Sequence, residues 1–211
     1  MKAAVLWERR SPLVIEEVEI ADPAPGEARV RILASGVCHS DLHHIQRDTY
    51  LVLPAVLGHE GAGVVEAVGP GVTQVKPGDR VIIAFGSKCG ECYFCRRGLD
   101  HLCEQPLPTN VRLRKGDQPL TPLLGVGSFA EYANVDATNL VPIPDEMPID
   151  RAALIACGVT TGIGAATKTV KVEPGSSVAV IGIGGVGLNV VQGAWLAGAA
   201  RIIAIDMLDH K

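Results

Sequence analysis

At 211 residues the chain holds one large domain or two small ones, and 47% hydrophobic against 20% charged residues leave room for a sizeable buried core. A formal net charge of -4 gives no electrostatic reason for a nucleic-acid partner, and the small basic groups Arg96/Arg97 and Arg112/Arg114/Lys115 read as solvated loops. The opening MKAAVLWERRSPLVIEEVEI reaches an Arg pair within ten residues and lacks an apolar segment followed by a small-residue cleavage site, so no secretory signal is expected and a reducing, cytoplasmic setting is the default.

Up to about residue 145 the chain reads as β. KAAVLW, LVIEEVEI, ARVRILAS, GVVEAV, DRVIIAF and FAEYANV are short, β-branched or alternating runs, broken by the turn sequences PAPG, GPGV, KPGD and PIPD. Inside this part, CGECYFCRRGLDHLC puts four of the six cysteines into one short window with the spacing C-x2-C-x2-C-x7-C, through Cys89, Cys92, Cys95 and Cys103. Two-residue gaps let tight turns aim successive thiolates at one centre, and Gly90 and Gly98 relax the backbone where it must curl. In a reducing compartment such a cluster is a metal site before it is a disulfide framework. Four sulfurs at about 2.3 Å fill a tetrahedral zinc and leave no open position, which makes the site structural. A pair of disulfides and an iron-sulfur cluster are the competing readings.

The composition changes between residues 145 and 160, and from there to Asp206 only Lys168, Lys171, Glu173 and Arg201 follow Arg151 as charged residues. Ser176 to Ala200 carries no charge and is long enough for a membrane span, but its six glycines argue against one. The stretch divides into an apolar strand from Val178 to Ile181, a glycine turn, a helix of about a dozen residues ending near Gly198, and a strand from Arg201 to Ile205. The turn reads G-x-G-G-x-G through Gly182, Gly184, Gly185 and Gly187, with Asp206 at the end of the next strand. Glycine allows the sharp turn, the approach of a pyrophosphate and close helix packing, while the helix N-terminus favours negative charge. Asp206 would accept hydrogen bonds from ribose hydroxyls and repel a 2'-phosphate, so the expected cofactor is NAD.

Cys38 in GVCHSDLHH, His59 in LGHEGAG and Cys157 in LIACGVTTG remain. Two cysteines and one histidine form a known ligand set for catalytic zinc, which keeps a fourth position for substrate. Spacing alone leaves this open against two small buried hydrophobes and a turn histidine.

GHEGAGVVEAVGPGV, residues 58 to 72, resembles the G-H-E-x2-G-x5-G-x2-V signature of the zinc-containing alcohol dehydrogenases in the medium-chain dehydrogenase/reductase superfamily. GVCHSDLH, the four-cysteine segment, CGVTTG and GIGGVG with Asp206 follow in that family's order, so the resemblance covers essentially the whole chain. It implies an α/β fold with a large β-rich part: a GroES-like β-barrel catalytic domain over residues 1–150, then the first βαβ unit of a Rossmann nucleotide-binding domain over residues 151–211. It further implies two zinc ions per chain and NAD. Cys38, His59 and Cys157 match the catalytic zinc ligands, and Asp41 and Glu60 match carboxylates close to that zinc. Ser40 matches the hydroxyl that accepts the substrate's proton, and His43 the base at the outer end of the relay. Without the resemblance, a helix cap, a turn hydroxyl and an exposed loop histidine at 43 or 44 are the plainer expectations. His39 stands where many relatives carry an Arg near the pyrophosphate. Thr161 and Val186 match residues beside the nicotinamide, Phe85 a wall of the substrate pocket, and Asp206 with Lys211 the adenosine ribose contacts.

The implied activity is reversible oxidation of a small alcohol to an aldehyde or ketone with hydride transfer to NAD, by a homo-oligomer with no membrane partner. The family's nucleotide domain has a six-stranded sheet, whereas this chain stops after one βαβ unit. The 211 residues are therefore expected to be an N-terminal portion that binds zinc, turns over little, and exposes a parallel strand edge and apolar faces. The segment Glu104 to Pro122 is shorter than in glutathione-dependent formaldehyde dehydrogenases, so that substrate is not carried over. The alternative is a non-catalytic zinc-stapled β module with a vestigial nucleotide segment; a zinc-free quinone reductase has no use for Cys38, His59 and Cys157 together.

Overall fold

The computed structural model of the chain describes residues 1–86, 88–105 and 112–211, so part of the Glu104 to Pro122 segment lies outside the described residues. The chain divides into two compact units, Met1–Ala156 and Cys157–Lys211.

The first unit is β-rich, as its alternating runs require. Its largest sheet orders five strands as Tyr132–Asp136, Glu27–Gly36, Glu60–Val68, Arg80–Ile83 and Leu140–Pro142, with antiparallel neighbours throughout. Period-two patterning explains which face turns inward: Ala28 and Val30 are fully buried while Arg31 is exposed. Register shifts between Arg29 and Val30 and between Ile32 and Ala34 place irregularities in the long central pair, and such bulges bend a strand and sharpen its twist. A second sheet joins Lys2–Leu6 to Val14–Glu17 and to Ala55–Val56, with Thr121–Pro122 running parallel to the latter. A third, smaller sheet pairs Glu19–Ile20, Leu113–Lys115 and Gln118–Pro119.

The core follows these sheets. Val30, Val65, Val81, Ile83, Val126, Val135 and Leu140 form one buried cluster, and Leu6, Leu51, Ala55, Leu57 and Leu123 another. A third cluster joins Ala62 and Ile82 of the large sheet to Ala152 and Ala153 at the start of a helix, with Ala34, Ile155 and Ala156 packed against it.

One pairing sets the position of the candidate site. Gly36 ends its strand opposite Glu60, which begins the next. The residues just beyond one strand and just before the other therefore emerge at the same end of the sheet, and those residues include Cys38 and His59. A helix, His39–Gln46, starts immediately after Cys38.

The second unit has the expected βαβ order. Ser177–Ile181 pairs in parallel with Arg201–Ile205, joined through a helix over Gly185–Leu196. Gly198 closes that helix at φ +84, a conformation that favours glycine. Ile181, Ile203 and Ile205 are exposed on the strands, and Leu188, Trp195 and Leu196 on the helix. The sequence reading had no element for the helix Ile149–Val170, whose turns widen to π geometry over Ile155–Val159 and Ala165–Val170. This helix is long and apolar enough to cross a bilayer by length and composition alone, and its Ala152 and Ala153 are buried in the first unit's core.

Leu57 has no exposed surface and supports the turn that carries His59. Leu57→Ala is expected to destabilise the first unit by about 2–5 kcal/mol, through lost transfer energy and a residual cavity. The check is the urea midpoint followed by Trp7 fluorescence in a Trp195→Phe background.

Candidate metal centres and nucleotide-binding turn

Asp41 organises the first site. Cys38 stands as N-cap of the helix His39–Gln46, and its backbone N–H donates to Asp41 Oδ2 at 3.0 Å, closing a capping box. The other carboxylate oxygen accepts from the Gly58 N–H at 2.9 Å and lies 3.4 Å from Nδ1 of His59. The carboxylate is 1% exposed. Burial works against its charge, and donation from His59, Cys38 and Gly58 outweighs this and holds its pKa below the ordinary carboxyl value. Asp41 thus closes the helix start with one oxygen and faces His59 with the other.

Burial also opposes ionisation of the Cys38 thiol, yet the Ser40 N–H, the Ser40 hydroxyl and His59 lower its pKa. Glu60 is buried beside them, and Cys38, His59 and Glu60 each offer a ligand atom within 4.8 Å of the others. Phe85 sets its ring edge-on to His59, with centroids 5.4 Å apart. A thiol with a lowered pKa, an imidazole oriented through its other nitrogen and a buried carboxylate are donors that zinc takes. Cys157 is the first residue of the second unit and lies in the π turn Ile155–Val159.

The four-cysteine segment folds as two short 3-10 turns, Cys95–Arg97 and Asp100–Leu102. Cys89, Cys92, Cys95 and Cys103 are all free thiols, and their sulfurs lie within 4.8 Å of one another. Ligands at 2.3 Å on a tetrahedral zinc stand roughly 3.8 Å apart, and Cys89 Sγ lies 3.9 Å from Cys95 Sγ. Backbone N–H groups of Cys95 and Glu104 bring Cys92 down to about 6, whereas burial and the neighbouring sulfurs push Cys95 up to about 12. Four converging thiols cannot all ionise side by side; a dication removes that conflict, so the donor set fits zinc.

In the second unit the glycine turn precedes the helix whose N-cap is Gly184. Gly182 has φ +87, and a Cβ on Gly187 would meet the Gly182 carbonyl oxygen at 1.9 Å, so each tolerates only glycine for a different reason. Gly185 has open space around its Cα, and Val186 is exposed. Asp206 Oδ2 accepts from the Ile183 N–H at 2.9 Å and Oδ1 from the Leu208 N–H at 3.1 Å, which lowers its pKa. Lys211 Nζ lies 3.8 Å from Asp206 Oδ2. Thr161 is exposed on its helix.

Some supporting residues escaped the sequence reading. A Cβ on Gly36 would strike Glu60 Oε2 at 2.0 Å, so this glycine makes room for the carboxylate. Gly58 has φ +86 and would meet Phe129 at 2.5 Å. Its place before His59 in GHEGAG was the available signal. His44 is buried, with Nδ1 2.8 Å from the Thr49 hydroxyl, and is therefore no exposed loop histidine; Arg9 spans the same corner, donating to the carbonyls of His44, Thr49 and Leu51.

Residues 24–145 match the family described as the alcohol dehydrogenase GroES-like domain. The chain belongs to the zinc-containing alcohol dehydrogenase family. It is 43% identical over 221 aligned positions to the class-3 alcohol dehydrogenase of Pisum sativum, covering all of this chain and 58% of that protein. Its fold matches the crystal structure of an alcohol dehydrogenase zinc-binding domain protein from Burkholderia ambifaria with TM-score 0.93 and 39% identity, over 99% of this chain and 59% of that one. Benzyl alcohol dehydrogenase from Acinetobacter calcoaceticus gives TM-score 0.91 at 33% identity, over 99% and 59%. The chain thus spans somewhat more than half the length of these relatives. Their GroES-like and α/β architecture agrees with the β-rich unit and the βαβ unit described above.

Burial lowers the pKa of His44 from its ordinary 6.5, partly opposed by Asp41 and reinforced by Arg9. The unfolded chain takes up this proton more readily than the folded one, so the stabilisation is complete above 6.5 and is lost as pH falls through that value toward the depressed folded pKa. Urea midpoints of the first unit should decline over that range, and His44→Gln should flatten the slope; an unchanged slope would exclude His44 as its source.

Proposed function

We propose that this protein oxidises a small alcohol to an aldehyde or ketone, reversibly, with zinc and NAD. The observation that carries the reading is the buried Asp41 carboxylate, which binds the helix start at Cys38, the turn at Gly58 and the ring of His59 into one rigid corner. Cys38 and His59 supply two zinc ligands. Cys157, in CGVTTG, supplies the third, as the family resemblance implies. Asp41 fixes the ring plane and tautomer of His59, and the buried Glu60 is the second carboxylate close to the zinc.

Zinc held there supplies Lewis acidity that lowers an alcohol's pKa, and NAD supplies the hydride acceptor. The chain's own residues do the rest. Ser40, whose hydroxyl reaches the Cys38 sulfur, accepts the substrate proton, and His43, one helical turn further, passes it to solvent. Phe85, edge-on to His59, walls the pocket and excludes water from the reacting centre.

NAD lies on the glycine turn. Gly182, Gly184, Gly185 and Gly187 admit the pyrophosphate to the helix N-terminus, with His39 as its side-chain contact. Asp206 and Lys211 hold the adenosine ribose, and Thr161 and Val186 flank the nicotinamide. Cys89, Cys92, Cys95 and Cys103 hold a second zinc that staples their loop. The working assembly is a homo-oligomer, and no membrane or nucleic acid takes part.

The full-length protein is expected to carry two zinc ions per chain by mass spectrometry. Cys38→Ser should lose one of them together with NAD-dependent turnover. Ser40→Ala should keep both and lower kcat by about 10²–10⁴. A single tightly held zinc with no response to NAD titration would instead leave a non-catalytic zinc-stapled module.

A further inference from the structure

We propose that His39 and His43 form a third metal site, a surface chelate for a late first-row dication such as Ni2+, Cu2+ or zinc in excess. The two residues stand at i and i+4 of the helix His39–Gln46, the spacing that puts two side chains over one another on a single face. Their rings have already converged, with centroids 5.4 Å apart and planes tilted by 56°. Two imidazoles bound to one ion through nitrogens at about 2.0–2.1 Å have ring centres roughly 5 Å apart, so small side-chain rotations complete the chelate. His39 is exposed and His43 half-buried, which opens the pair to an ion arriving from solvent. Imidazole suits nickel, copper and zinc, and two of them favour these ions over magnesium or calcium, which take oxygen ligands.

The pair is separate from the zinc ligands described above, none of which it shares. One consequence rests on the proposed activity. The lone pair that His43 gives to an ion is the one it needs as a base, and an ion bridging to His39 occupies a cofactor contact. Metal binding at this face and proton transfer through it therefore exclude each other.

The test is made on the full-length, zinc-loaded protein with Ni2+ as the probe, because nickel binding is read whether or not the protein is a dehydrogenase. Equilibrium dialysis should show one further ion per chain. In NMR spectra the ring protons of His39 and His43 should broaden at nickel concentrations that leave His44, His101 and His210 sharp. His39→Gln and His43→Gln should each weaken binding on the order of 10²-fold, the gain of a chelate over a single ligand, whereas His101→Gln should change nothing. The proposal is overturned if no extra ion binds, if both variants bind as the parent does, if all histidines broaden together, or if nickel uptake releases an equal amount of zinc. Alcohol oxidation assayed with and without Ni2+ then tests the consequence by itself: activity unaffected at saturating nickel, with the chelate formed, counts against His43 as the relay base and leaves the site intact.

Discussion

A buried carboxylate is costly unless several donors surround it, and Asp41 satisfies that condition by drawing two backbone amides and one imidazole to itself. One oxygen caps the helix that begins after Cys38, and the other accepts the Gly58 amide and faces the His59 ring. These donors belong to segments that the strand pairing of Gly36 with Glu60 has already carried to the same sheet end. The sheet brings the segments near, and the carboxylate sets their geometry. The same corner explains why the pKa of Cys38 is lowered although the thiol is partly buried: donors from Ser40 and His59 surround the sulfur.

The four-cysteine loop solves a different problem with a different force. Its two short turns bury little besides Cys95, and Tyr93, Leu99 and Leu102 remain exposed. Without a dication the thiols divide protons unevenly, with Cys92 held low and Cys95 high. An ion at their centre would replace that repulsion by attraction and supply the cohesion that side-chain packing here does not.

How far each site was legible follows from how local its determinants are. C-x2-C-x2-C is local, as is the run strand, glycine turn, helix, strand, Asp206; strand limits agree to within a residue at Ser177–Ile181 and match at Arg201–Ile205. The convergence of Cys38 with His59 is not local, since it depends on an antiparallel register interrupted by two shifts that no pattern in either strand announces. Nothing near Gly36 in sequence signals its role, because the Glu60 carboxylate it makes room for belongs to another strand. The helix Ile149–Val170 escaped for another reason. Its buried positions are Ala152, Ala153, Gly162 and Ala166, and small residues give little contrast with an apolar, glycine-rich surrounding sequence.

The three histidines of the helix His39–Gln46 show how position on a short helix separates identical side chains into different roles. His39 and His43 share one face and meet each other. His44, only one residue further, is turned about 100° around the axis by the 3.6-residue repeat. That rotation carries it into the corner formed by Thr49 and Tyr50, where Arg9 gathers three backbone carbonyls and fixes the helix end. Burial then disfavours its cation, which makes it a structural group that works best uncharged. Its half-buried neighbour His43 keeps one side toward solvent. The helix thus has a fixed side, anchored by Asp41 and His44, and a more open side that carries Ser40 and His43.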